Sequence, residues 1–204
     1  MRTIAFACLA FAIAAAAASA QQASIDPKQA PTGRYVLDPR HGQVLFGIAH
    51  QGLSDYYGRF DKISGTLNFD SAKPENSTVS IVIDMDSIDP PAPALVPMLK
   101  AANAFDTQKF PTATFNSTSI VRSGATTGRI IGDLTIKDVT KPVTLDVTFA
   151  GGHHDGMSNA YAIGFHATAT IKRSDFHLTA MPWGFFVGDD VKLIIEVPFQ
   201  QQKG

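Results

Sequence analysis

The chain has 204 residues, a formal net charge of −1 and 17% charged residues. With no basic tract, that balance excludes a nucleic-acid surface or a strong electrostatic hold on anionic membranes. The one cysteine, Cys8, lies in an apolar leader, so the chain beyond residue 20 has no disulfide and must be held by its core alone.

In chain order, Arg2, the apolar run Ile4 to Ala18 and the small Ala18-Ser19-Ala20 predict a secretory signal peptide over residues 1–20. The run is shorter than the ~20 residues a membrane span needs; a retained anchor is the rival reading. What remains carries 16 basic and 18 acidic residues, a charge of −2, and suffices for one sizeable domain. Residues 21–33 hold Pro27, Pro31 and Gly33 without periodicity and read as a flexible leader.

From Arg34 onward the pattern is period two. "ISGTLNFD" sets Ile63, Gly65, Leu67 and Phe69 against Ser64, Thr66, Asn68 and Asp70, and "VSIVIDMD" and "VTLDVTFA" alternate likewise. That is the mark of strands with one wet face. "QVLFGIAH", "AYAIGFHATATIK" and "VKLIIEVPF" are strands apolar on both sides, and Ala113–Val121 and Thr127–Lys137 complete the set. Turn signals fall at "AKPENS", "RSGATTG", "GGHHDGMSN" and "VGDD", and a turn is expected over Asp138–Lys141 with Pro142 opening the return strand. Eight or nine strands at hairpin spacing predict an antiparallel sandwich or barrel. One segment, "PALVPMLKAANAFDTQKF", has the helical spacing Leu95, Met98, Leu99, Ala102, with Pro97 in the first turn.

Five blocks stand in a specific order: "YVLDPRHGQVLFGIAHQG", "GRFDKISGTLNFD", "AFDTQKFPTATFNST", "GDLTIKDVTKPVTLDV" and "IKRSDFHL". In this the chain resembles the YceI-like family of bacterial periplasmic proteins over residues 34–199. The resemblance implies an eight-stranded antiparallel lipocalin-like barrel over residues 34–200 with one or two short helices and an apolar cavity. It implies a periplasmic carrier for a long-chain lipid, a polyisoprenoid such as a quinone or prenyl pyrophosphate, with no other cofactor and no turnover. A homodimer and transient contact with a membrane or membrane partner are further expectations. Two departures stand out. Leu95, Val96, Pro97 and Met98 replace the family's Arg-Asp-x-His, which puts polar head-group recognition there in doubt, and His177 replaces the glycine of "RSDFGL".

The residues expected to line the cavity are Phe46, Ile48, Phe60, Ile81, Ile83, Leu95, Met98, Leu99, Phe105, Phe110, Phe115, Leu134, Leu145, Val147, Phe165 and Trp183, with His50 near the mouth. Ordinary core packing is the competing reading for each. His153, His154 and Asp155 could suggest a metal, but adjacent histidines lack the spacing of a ligand pair, and no metal is expected. Arg173 and Asp175 are read as an ion pair fixing the turn after a long strand, and His41 and His166 have no obvious partner. No nucleophile or phosphate-loop motif is present. An enzyme acting through His50 or Asp175 on a small apolar substrate, and a module whose barrel is filled by its own side chains, are the alternatives to a carrier.

Overall fold

A computed structural model describes residues 23–179 and 184–202. The expected signal peptide, residues 1–20, and Trp183 lie outside the described residues. The strands are β1 (Gly33–Leu37), β2 (Gln43–His50), β3 (Ser54–Phe60), β4 (Ile63–Phe69), β5 (Thr78–Asp84), β6 (Ile88–Asp89), β7 (Thr112–Arg122), β8 (Thr127–Ile136), β9 (Val139–Asp155), β10 (Ala160–Lys172) and β11 (Val187–Gln201); one short helix, α1, spans Val96–Lys100.

All described pairings are antiparallel, and they close into an eight-stranded barrel. β1 and β2 lie end to end beside β11, through Leu37↔Phe199 and Val44↔Ile195. β3 and β4 likewise form one bent path, pairing through Phe60↔Val44 and Leu67↔Tyr35. With the two-residue β6 set aside, the wall is β1/β2, β3/β4, β5, β7, β8, β9, β10 and β11. The seam is the three pairs Tyr35↔Gln201, Val36↔Gln200 and Leu37↔Phe199. Period two puts one face of each strand inside, and Tyr35, Leu37, Ile163, Phe176 and Phe199 are fully buried there.

The β1–β2 path jogs at Asp38–Gly42, and a buried carboxylate holds the jog. Asp38 accepts from the Arg40 backbone N–H at 3.0 Å, from Arg40 Nε at 3.2 Å and from His41 Nδ1 at 2.8 Å. Burial pushes its pKa up, but the bonds from Arg40 and His41 outweigh that and hold it at about 2. Its folded pKa lies below the ordinary carboxylate value, so its contribution is present above pH ~4 and is lost as pH falls toward 2. Asp38→Asn is expected to cost about 2 kcal/mol at pH 7 and much less at pH 2.5, read from paired thermal melts. An equal loss at both pH values would refute the assignment.

Antiparallel order sorts the connections by end. The turns at 51–53 and 137–138 and the described parts of the β10–β11 connection, residues 173–179 and 184–186, lie at the end where α1 sits between β5 and β7. The tips at 70–77, 123–126 and 156–159 lie at the other. That second end is crossed by residues 23–32. Ser24 and Gly152 exchange two backbone hydrogen bonds of 2.8 Å, and Tyr35 Oη donates to the Pro31 carbonyl at 2.7 Å. Gly151 lies under this strap at φ +141°, where a Cβ would come within 3.0 Å of the Ala23 Cβ.

Three local expectations are corrected. The helix is five residues long, because Ala101 is extended (ψ 161°) and the chain then folds into turns with Asp106 at φ +50°. The β8–β9 turn is Lys137–Asp138, tighter than Asp138–Lys141, with Lys137 at φ +57°; Pro142 sits inside β9 opposite Asp133. "GGHH" and "VGDD" belong to β9 and β11, because β9 against β10 and β11 against β2 absorb them by shifting register.

Candidate functional site

The barrel is not packed solid. It encloses an apolar cavity of about 540 Å³, within the range of small-molecule sites. Each inward row contributes: Phe46, Ile48 and His50 from β2, Ile81 and Ile83 from β5, Leu145, Val147 and Phe149 from β9. Small residues flank Val147 on the wall. Its neighbours across the sheet are Gly128 on β8 and Ala167 on β10.

Of the residues expected on the wall, Phe46, Ile48, His50, Phe60, Ile81, Ile83, Leu95, Leu99, Phe105, Phe115, Leu134, Leu145, Val147 and Phe165 are placed there. Met98 and Phe110 are not among them. Leu95 and Leu99, four apart, take the inner side of α1's turn, which turns Met98 outward to 40% exposure. Phe110 lies beneath Lys109, whose Nζ is 4.9 Å from the ring centroid. Wall residues not singled out in the sequence include Ile130, Ile171, Leu193, Ile195 and Val197. Period two places them inside, so that signal was sufficient.

The ends are more polar than the middle. At the α1 end, His50, Gln51 and Tyr56 line the cavity, and Tyr56 Oη accepts from the Ala92 N–H at 3.1 Å. Arg173 lines it too, but its guanidinium is committed to backbone. It donates to the carbonyls of Gly188 at 2.9 Å, Leu178 at 2.7 Å and Gly184 at 2.8 Å, with Val187 at 3.5 Å. The expected pairing with Asp175 is not formed. Asp189 does the carboxylate's work, accepting from Ser174 Oγ at 2.7 Å and its N–H at 3.0 Å; those bonds hold its pKa below the ordinary range. His177 closes this turn at φ +56°, a conformation that suits glycine.

The other histidines have structural surroundings. His41 bonds Asp38, and His166 on β10 faces Glu196 on β11; both partners are invisible to motif reading because strand register or a jog supplies them. His153 and His154 are successive residues of β9, and His154 stacks edge-on against Tyr161 at 5.1 Å. Asp155 accepts from Ser158 Oγ and the Met157 N–H. Among the described residues no three ligating side chains gather, and no helix is long and apolar enough to cross a membrane.

Comparison with known proteins agrees with this architecture. Residues 35–199 match the YceI-like domain. A UPF0312 protein of Ectopseudomonas mendocina is 38% identical over 153 residues, 74% of this chain and 80% of the relative. The crystal structure of Burkholderia cenocepacia BcnA superposes with a TM-score of 0.71 at 26% identity, over 79% of this chain and 98% of that one. A polyisoprenoid binding domain from Saccharophagus degradans shares the fold, with a TM-score of 0.61 at 15% identity over 84% of this chain and all of that one.

Proposed function

The chain belongs to the YceI-like family, and from that premise we propose that it is a carrier holding a long-chain isoprenoid, such as a quinone or prenyl lipid, in its lumen without turnover. The observation that carries the reading is an apolar lumen of about 540 Å³ in a barrel that strand pairing alone closes. The polyisoprenoid binding domain with the same fold supports the ligand class. The N-terminal pattern Arg2 to Ala20 supports export to the periplasm. Exposed Leu53 and Phe185 at the α1 end support brief contact with a membrane during loading, and the outward Tyr57 and Ile194 support a homodimer. Of the two groups an enzyme would use, only His50 lines the lumen.

Each buried methylene is worth about 0.8 kcal/mol of transfer before ordering costs. Delipidated protein titrated with geraniol, farnesol and geranylgeraniol is therefore expected to bind about tenfold or more tighter with each added unit until the lumen is full. An affinity independent of chain length, with no lipid in organic extracts of the purified protein, overturns the carrier. Sedimentation as a monomer at high concentration removes the dimer from the proposal.

A further inference from the structure

The lumen is apolar in its middle and more polar at its ends, and its charged lining is of one sign. Among the described residues on its wall the charged ones are Arg122, Arg129 and Arg173, without a carboxylate, and Arg129, paired with outward Val121 and with Asp146, turns its side chain to the outer face. Arg173 is spent on carbonyls. Arg122 is not: its one described side-chain bond runs from Nη2 to the Gly124 carbonyl of its own hairpin, at 3.3 Å.

The inward position of Arg122 is built by the sheet. β7 enters with Ala113 and Phe115 inside, opposite Ile83 and Ile81 of β5. Period two carried onward would bring Ser119 and Val121 inside and turn Arg122 out. Instead the register slips between Ser117 and Ser119. Beyond the slip Ile120 and Arg122 line the lumen, while Val121 is 44% exposed. Two hydrogen bonds pin it: Ser117 Oγ accepts from the Val79 N–H at 2.9 Å, and Thr118 Oγ1 donates to the Ile131 carbonyl at 3.2 Å. A bulge of this kind re-aims side chains. Here it puts an arginine where hydrophobic burial alone would favour the valine.

We propose that the strap end of the lumen receives the anionic head of an amphiphile, a phosphate or a carboxylate, on Arg122, with the tail extending toward α1. The inference rests on the carrier reading above and gives it a polarity. A guanidinium presents a planar fork of donors that matches both head groups. Thr126 lines the same end. The head group therefore sits opposite α1, where Leu95, Val96, Pro97 and Met98 offer it nothing polar.

Four ligands with one tail separate the outcomes: geranylgeranyl phosphate, geranylgeranoic acid, geranylgeraniol and geranylgeranylamine. The wild-type chain is expected to bind the two anions about tenfold or more tighter than the alcohol, and the amine most weakly. Binding of one anion alone decides between phosphate and carboxylate. Arg122→Ala is expected to abolish the preference for the anions over the alcohol, with a much larger loss for the anions than for the alcohol. Arg122 is exposed at a strand end, so the variant should melt with the wild type, and Arg122→Lys should keep part of the preference. Equal wild-type affinities for anions and alcohol, or a preference that survives Arg122→Ala, overturn the head-group assignment and leave the carrier standing. Failure of all four to bind overturns the carrier and this inference with it.

Discussion

Val147→Trp is expected to abolish lipid uptake while the barrel stays folded. Val147 is an inward residue at the centre of β9, with Gly128 and Ala167 beside it. Those neighbours leave room for an indole, so the substitution fills space without overpacking a dense layer. An indole there blocks roughly five methylene positions of a threaded chain, about 4 kcal/mol, or on the order of a thousandfold in affinity. Loss of the lipid from organic extracts, with an unchanged or higher melting temperature, is the predicted pair of results. Undiminished binding would mean that the ligand sits outside the barrel. The same change at outward-facing Thr148 serves as the control.

The second large effect belongs to Arg173. Its guanidinium gathers carbonyls from Leu178, Gly184, Val187 and Gly188 and so ties the long β10–β11 connection to the mouth. Arg173→Met keeps the apolar stem and removes every donor. Hydrogen bonds to a charged group contribute more than neutral ones, and several partly buried acceptors lose their partner together; the expected cost is about 3 kcal/mol. A bound fluorescent lipid should also leave faster, because the connection borders the lumen through Leu178, Phe186 and Val187. Arg173→Lys should rescue little, since one ammonium cannot span four carbonyls. A melt and an off-rate that both match the wild type would show that the connection holds without the arginine. Asp175→Asn, at an exposed site, should change neither.

The barrel was readable because period two is a local property. Strands such as Ile63–Phe69 and Val143–Phe149 declare their wet and dry faces residue by residue, and the dry faces had to meet. The joining of β1 to β2 and of β3 to β4 was not readable, because a jog such as Asp38–Gly42 shows itself only through partners on β11. Most of the lumen wall followed from the same alternation. Met98 failed because the helical spacing groups it with Leu95 and Leu99, whereas only those two take the inner side of the turn. Arg122 was missed because the strand was expected to end at Val121, whereas β7 runs on to Arg122 and a register slip between Ser117 and Ser119 turns that residue inward. Arg173 and Asp175 looked paired by nearness in sequence, whereas the acceptors that count arrive from residues 178–188.

The seam between β1 and β11 also sets a timetable. It unites Tyr35–Leu37 with Phe199–Gln201, so the first strand waits on nearly the whole chain before it gains its second neighbour. Contacts so distant in sequence are slow to form. A folding chain therefore passes through an open, curled sheet whose greasy concave side is accessible along its whole length. A long lipid can be wrapped laterally at that stage, without being threaded through an end later.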